Sequence, residues 1–133
     1  MSDGFTSLGQ ARPDLVAHRR AASSEWPVLV SELTGILGKK LTASIAAVKD
    51  VRTVERWIGG AAPVRDIEPR LRFAFRVAST LRERDQPAIV QAWFTGLNRE
   101  LNDRVPMRLL REGELDEVGP QVLRAARAFV AGG

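Results

Sequence analysis

The sequence predicts an all-α protein in which a helix-turn-helix unit is followed by a small helical domain. In most segments apolar residues recur three and four positions apart, as they do along one face of an amphipathic helix. Glycine and proline stand between these segments, where helices end and begin. No segment alternates apolar and polar residues in the manner of a strand. Together these observations indicate helices joined by short turns.

Size and composition limit the classes of protein that fit. The chain has 133 residues, 44% of them hydrophobic, and no cysteine. This is enough for one buried core, without disulfides or thiolate chemistry. The apolar runs are too short for a transmembrane helix, and no basic and then apolar leader opens the sequence. We therefore expect a cytoplasmic protein with no membrane partner.

The formal net charge of +4 comes mostly from arginine. Lys39, Lys40 and Lys49 are the only lysines among the 20 basic residues, so the other 17 are arginines. A genomic GC bias is one explanation, and guanidinium groups kept for phosphate or carboxylate partners are the other. A net charge of this size permits nucleic-acid binding without demonstrating it.

We divide the chain into four segments: a flexible N-terminal arm (residues 1–23), the helix-turn-helix unit (24–65), a linking and dimerisation helix (66–84) and a C-terminal domain (85–133). The arm carries glycine and polar residues without a sustained period, with at most one helical turn around Leu15 to Arg19. The only histidine, His18, lies in this arm. We assign it no ligand or catalytic role.

The helix-turn-helix unit is predicted from its caps. Ser24 is expected to cap a first helix, which ends at Gly38. Thr42 is expected to cap a short second helix over residues 43–48, where small side chains allow a close crossing. Asp50 is then expected to cap a third helix from Val51 to Ile58.

The stretch from Arg52 to Gly60 resembles the recognition helix of Xre-type DNA-binding domains, whose pattern is roughly Thr-Val-x-Arg-Trp-x-x-Gly. The usual glycine of the preceding turn is absent, and Val48-Lys49-Asp50 takes its place. If this helix binds DNA, an arginine can read a guanine in the major groove and a lysine can contact phosphate. The candidate DNA-binding residues are Arg52, Thr53 and Arg56 for the groove and Lys49 for the phosphate.

The linking helix is predicted to start after Asp66 as its cap and to run to about Arg82. It carries a broad apolar stripe of Ile67, Leu71, Phe73, Ala74, Phe75, Val77, Ala78 and Leu81. A stripe this wide indicates contact with more than one neighbour. We expect central burial together with a homodimer seam, for which Phe73 and Phe75 are the candidates.

The C-terminal domain is predicted to open with two short helices joined by a fixed corner. Ile89, Val90, Trp93 and Phe94 share one helix face, and Gly96 can supply a positive φ at its end. Asn98 is suited to hold the corner by hydrogen bonds to nearby backbone. The residues of the predicted corner motif are Trp93, Asn98, Leu101, Pro106, Leu109, Leu110 and Gly113, with Pro106 starting the second helix, both leucines inward and Gly113 ending it.

The last helix is predicted from apolar residues between Leu115 and Val130, with Gly119-Pro120 starting or kinking it. Phe129 and Val130 follow most of the residues that pack against the corner. Two interpretations stay open at this point. Either Phe129 closes the last turn of the core, or it remains available to a partner together with the small residues behind it.

The spacing Trp-Phe-x-x-x-Asn-x-x-Leu followed by Pro-x-x-Leu-Leu-x-x-Gly resembles the toxin-binding domain of antitoxins in the Xre/MbcA/ParS family, and the resemblance covers residues 25–133. It implies a partner toxin of the RES type, which consumes NAD, and an antitoxin C-terminus that covers the toxin's active-site cleft. It also implies homodimers that bind operator DNA and repress their own operon. The residues implied in toxin binding are Phe129, Val130, Gly132 and Gly133 in the cleft, with Arg124 and Arg127 at its rim.

An enzyme is not expected, because the sequence offers no nucleophile–base pair, no metal-ligand spacing and no phosphate-binding loop. No cofactor is expected either. Two other functions fit the same fold. The chain is then either a stand-alone helix-turn-helix regulator without a toxin, or a helical adaptor in which the unit only supports dimerisation.

Overall fold

The computed structural model describes residues 13–132 of the chain. The helices are α1 (Pro13–Ser23), α2 (Trp26–Leu37), α3 (Lys39–Ala46), α4 (Val51–Ile58), α5 (Ile67–Arg82), α6 (Pro87–Thr95), a 3₁₀ helix (Arg99–Leu101), α7 (Pro106–Glu112) and α8 (Leu115–Gly132). The all-α prediction is confirmed, and none of the residues described belongs to a strand. Nor is any helix among them long and apolar enough to cross a membrane.

The prediction of a flexible arm is wrong for its second half, because Pro13–Ser23 forms helix α1. This helix packs along α5 through Ala17 and Ala21, which are both buried. A contact made by alanines leaves only a weak apolar pattern, so periodicity did not indicate it. Residues 1–12 of the predicted arm lie outside the described residues.

One arginine of α5 holds the C-terminal end of α1. The guanidinium of Arg72 donates to the carbonyl of Ala21 at 2.8 Å and to that of Ser24 at 2.7 Å. The same group forms an ion pair with Glu68 at 2.7 Å. A cation at this position satisfies carbonyl groups that have no partner within their own helix.

Helices α2 and α3 meet at a single residue, Gly38, whose φ of 84° favours glycine. Two predicted caps are wrong, one at the start of α2 and one at the start of α3. Ser24 is not the cap of α2, because Glu25 occupies that position without a side-chain hydrogen bond. Thr42 lies inside α3, where its hydroxyl donates to the carbonyl of Gly38 at 2.8 Å. Helix α3 therefore starts three residues before the predicted cap, at Lys39.

Helix α4 begins and ends as predicted. The carboxylate of Asp50 accepts from the backbone N–H of Arg52 at 2.9 Å, and Gly59 is the C-terminal cap. The turn before it has no glycine, and Ala47 takes the left-handed conformation with φ 62°. On the inner side of α4, Trp57 meets Trp26 of α2 edge to face, with ring centroids 5.5 Å apart.

Helix α5 lies at the centre and contacts α1, α2, α3, α6, α7 and α8. Neighbours within one chain thus cover the stripe that was assigned in part to a dimer. Phe75 is only 1% exposed, so its assignment to a dimer seam is wrong and it fills the core. Phe73 is half-buried and faces α8, where a side chain at Gly119 would meet its ring at 3.2 Å. Asp66 precedes the helix as predicted, but its side chain makes no capping hydrogen bond.

Candidate functional site

The corner between α6 and α7 is organised by Asn98, as the sequence predicts. Its side-chain oxygen accepts from the backbone N–H of Glu100 at 2.9 Å. The backbone N–H of Asn98 donates to the backbone carbonyl of Arg104 at 3.1 Å. Its backbone carbonyl accepts from the backbone N–H groups of Leu101 at 2.9 Å and Asp103 at 2.8 Å. Four hydrogen bonds on one residue leave this loop little freedom to change shape.

The second half of the motif forms α7 and its exit. Pro106 is the first residue of the helix, Leu110 is buried and Leu109 is half-buried against the core. Gly113 ends the helix with φ −94°, so a positive φ does not explain the glycine. A Cβ there would lie 2.6 Å from Cγ1 of Val118, and this close contact is what excludes a side chain.

Two expectations for the first half of the motif are wrong. Gly96 is extended, with φ −97°, rather than left-handed, and a Cβ there would come within 3.1 Å of the Ala92 carbonyl. Ile89 is exposed, whereas Val90, Trp93 and Phe94 are buried as predicted. The helix turns Ile89 to the edge of its buried face, and the side chain stays at the surface of the molecule.

The end of α8 approaches this corner. Phe129 is 36% exposed, and Val130 is half-buried against the core. The guanidinium of Arg84 donates to the carbonyl of Val130 and so holds the end of the helix. Among the other residues implied in toxin binding, Arg124 and Arg127 lie exposed on α8, Gly132 is in its last turn, and Gly133 lies outside the described residues.

Two open grooves flank Trp93 at this end of the molecule, and we call them the corner grooves. The smaller, of about 270 Å³, is lined by Trp93, Asn98, Glu100, Ala125, Ala128, Phe129 and Gly132. The larger, of about 410 Å³, is lined by Ile89, Ala92, Trp93, Gly96, Leu97, Asn98, Arg99, Glu100 and Phe129. Leu97 is 76% exposed on this surface. Exposed apolar residues grouped around a concave site are typical of a binding surface.

The sequence pattern places Trp93 on the buried face of its helix and in the corner motif. Its side chain is 8% exposed, but its indole N–H has no hydrogen-bond partner among residues 13–132. The indole of Trp26, in contrast, donates to the carbonyl of Ala61 at 3.1 Å. Helical spacing indicates which residues are buried and cannot indicate which buried donor finds an acceptor.

The candidate DNA-binding residues lie together on and just before α4. Arg52 and Arg56 are exposed, Thr53 is half-buried, and Lys49 is exposed in the preceding turn. Arg52 pairs with Asp50 at 2.7 Å, and Arg56 donates to the hydroxyl of Thr53 at 3.2 Å. Hydrogen bonds from Arg52 lower the pKa of Asp50 to about 2. The cations of this surface are thus held in place, and one of them is partly neutralised.

The candidate DNA-binding residues thus lie on or just before α4, whereas the described toxin-binding candidates lie on α8. The two sets do not share one cleft. The part of the chain that the structure describes holds no group of three or more His, Asp or Glu that could bind a metal ion. A concavity of about 520 Å³ lies beside α7 and is lined by residues of both charge signs, such as Arg108 and Glu112. Its shape and lining indicate no particular ligand.

Comparison with known proteins identifies the class. No protein-family model and no curated protein matches the chain. The structure matches a chain in the crystal structure of the M. tuberculosis MbcT–MbcA toxin–antitoxin complex, with a TM-score of 0.66 and 28% identity. The match covers 82% of this chain and 96% of that chain. The class is that of antitoxins from toxin–antitoxin systems. Within this class the chain is similar to the MbcA-type antitoxins, which confirms the resemblance found in the sequence.

Proposed function

We propose that the chain is an antitoxin that binds a RES-type, NAD-consuming toxin and covers its active-site cleft with the end of α8. The observation that carries this proposal is the fold match to a toxin–antitoxin complex, made by a chain that contains the whole corner motif. The exposed Phe129 at the end of α8 supports it as well. An aromatic side chain inserted into a desolvated pocket typically contributes 2 kcal/mol or more, on the order of thirtyfold in affinity.

The end of α8 is suited to this role because its residues divide between the core and the surface. The side chain of Val130 packs against the core, and its backbone carbonyl accepts a hydrogen bond from the guanidinium of Arg84. These two contacts fix the direction of the last turn. Phe129, one position earlier, faces the corner grooves instead. Arg124 and Arg127 offer exposed guanidinium groups to carboxylates at the rim of the cleft.

Deletion of residues 128–133 tests this function. The truncated chain should fold, because the deleted stretch contains no fully buried side chain among its described residues. We expect it to lose protection when it is co-expressed with the RES-type toxin encoded beside its gene. Val64→Asp serves as the control, since Val64 is exposed in the connector before α5 and should remain protective. Full rescue of growth by the truncation would show that the tail is not inhibitory, and a genome without such a toxin would contradict the function itself.

We also propose that the chain binds the operator of its own operon through α4, because Arg52 and Arg56 lie exposed on the outer face of a capped helix. Arg52 would exchange its partner Asp50 for a base or a phosphate. A second ion pair, between Lys39 and Glu55 at 3.0 Å, lies on the same surface and reduces its positive charge. If no toxin partner exists, this activity alone makes the chain a stand-alone regulator.

A homodimer is part of the same proposal, with its seam restricted to Phe73. Phe75 is unavailable because it is buried within one chain. Phe73 borders a crevice of about 250 Å³ together with Pro69 and Leu115, and this crevice offers a small apolar surface.

A further inference from the structure

The exposed face of α4 carries one carboxylate, Glu55, among its arginines. Arg52 is a neighbour of both Glu55 and Arg56 on the helix surface, because residues three and four positions apart lie side by side. The nearby Asp50 has a role in the helix itself, since it caps α4 by accepting from the backbone N–H of Arg52. The side chain of Glu55 neither caps the helix nor enters the core.

A lysine of the preceding helix holds this carboxylate from one side. Nζ of Lys39, at the start of α3, lies 3.0 Å from Oε2 of Glu55. Both side chains are about half exposed, and an ion pair this exposed contributes little to stability. Among the described residues only Lys39 donates to the carboxylate, and it does so at Oε2. Oε1 of Glu55 therefore remains able to accept from a donor outside the chain.

The charge of Glu55 acts directly on the arginine that is the first candidate for base contacts. The pKa of the Arg52 guanidinium is raised above its usual value, chiefly by its hydrogen bond to Asp50 and by the charge of Asp50. The negative charge of Glu55 acts in the same direction. Glu55 thus lies within the same electrostatic surroundings as Arg52, on the surface that is proposed to meet DNA.

A carboxylate on a DNA-binding surface is repelled by phosphate and needs a hydrogen-bond donor as its partner. In the major groove such donors are the exocyclic amino groups of adenine and cytosine. The adenine amino group has the acceptor N7 beside it, which disfavours a carboxylate, whereas N4 of cytosine has no adjacent acceptor. A G·C pair also presents O6 and N7 of guanine to an arginine. A glutamate and an arginine that are neighbours on one helix therefore complement G·C pairs.

We propose that Glu55 is a base-reading residue, whose carboxylate accepts a hydrogen bond from the N4 amino group of a cytosine in the operator. This inference rests on the proposed operator binding through α4 and adds a sequence-reading residue to the arginines. Lys39 orients the carboxylate from its Oε2 side and leaves Oε1 to the base.

An operator that lacks one amino group tests this contact. The probe is the segment of the gene's own promoter that the wild-type chain protects from nuclease cleavage. Each cytosine in turn is replaced by 2-pyrimidinone, a cytosine analogue without the N4 amino group, so that the guanine opposite is kept. At one cytosine in each bound site we expect the wild type to bind about tenfold more weakly in a mobility shift, which corresponds to about 1.4 kcal/mol. Glu55→Ala should bind the normal and the altered DNA equally well at that position.

Two further variants separate base reading from loss of the ion pair and loss of charge. Lys39→Ala breaks the same ion pair but keeps the carboxylate, so it should remain sensitive to the missing amino group. Glu112→Ala removes the same charge from α7, where Glu112 pairs with Arg108 at 3.6 Å, and should remain sensitive as well. If Glu55 only tied α4 to α3, Glu55→Ala would also remain as sensitive as the wild type.

The outcomes distinguish this inference from the function on which it rests. A wild-type chain that shifts no fragment of its own promoter would overturn the proposed operator binding. A wild-type chain that binds the promoter and tolerates the analogue at every cytosine would overturn only the role of Glu55. The same conclusion would follow if Glu55→Ala lost as much affinity as the wild type when the amino group is removed.

Discussion

At the scale of single residues, several arginines serve the ends of helices rather than a partner. Arg72 donates to a carbonyl at the end of α1, and Arg84 donates to a carbonyl at the end of α8. Arg70 donates to the carbonyl of Ala46 at the end of α3, at 3.4 Å. Each donates to carbonyls that lack a partner within their own helix. Part of the arginine excess is therefore structural, an explanation that composition alone does not suggest.

Asp50 gives a pH-dependent prediction, because Arg52 lowers its pKa from 3.8 to about 2 in the folded chain. A carboxyl with a depressed folded pKa adds stability above its unfolded pKa, and this contribution is lost as the pH falls through the folded pKa. We expect the wild type to be more stable than Asp50→Asn at pH 7. The difference should shrink between about pH 4 and pH 2, as followed by urea unfolding.

Arg52→Ala supplies the control for this prediction. It removes the guanidinium that lowers the pKa of Asp50 but keeps the backbone N–H that the cap requires. In that background the advantage of Asp50 over asparagine should be lost at a higher pH than in the wild type. An unchanged pH dependence would show that the ion pair with Arg52 does not determine the titration of Asp50.

At the scale of elements, α4 carries the prediction of operator binding. Arg52→Ala combined with Arg56→Ala should abolish the mobility shift of the promoter fragment while circular dichroism stays native. Each lost arginine–guanine contact is worth roughly 1–3 kcal/mol. The wild-type shift should also weaken steeply with added salt.

Arg108→Ala with Arg111→Ala removes the same charge from the exposed side of α7 and should leave the shift intact. If the α4 double variant still binds the promoter like the wild type, α4 is not the recognition helix.

The elements also show which local signals the sequence carries. Asp50 with Gly59 and Pro106 with Gly113 marked the bounds of α4 and α7 correctly, because these residues favour helix ends in any context. The start of α3 was missed because Gly38 serves two helices at once. Ala47 was missed as well, since a left-handed alanine is held by its surroundings and not by its own preference.

At the scale of the whole molecule, the central helix α5 carries one phenylalanine that belongs to the core and one that is available to a dimer interface. Phe75→Ala should destabilise the chain by about 3–5 kcal/mol, as truncation of a buried phenylalanine usually does. Its mass by light scattering should stay that of the wild type, which we expect to be a dimer at tens of micromolar. Phe73→Ala should lower that mass with a smaller loss of stability, because Phe73 is only half-buried. A monomeric wild type would remove the dimer proposal.

The arrangement of helices around α5 was the part of the fold that the sequence predicted least. The width of the stripe indicated several neighbours, but periodicity cannot say whether they belong to the same chain. Helix α1 covers part of that stripe with two alanines, Ala17 and Ala21, and so went unrecognised. The corner motif was predicted well because Asn98 and Pro106 act through backbone groups close to them in sequence.

The environments of the tryptophans have an optical consequence. The chain has three tryptophans and no tyrosine, so its ultraviolet fluorescence comes almost entirely from indole. Trp26 and Trp57 are close enough to exchange excitation energy, with ring centroids 5.5 Å apart, whereas Trp93 lies in the wall of the corner grooves. Replacing the first two with phenylalanine would leave Trp93 as a single emitter. Its spectrum would then report the arrival of a partner without any attached dye.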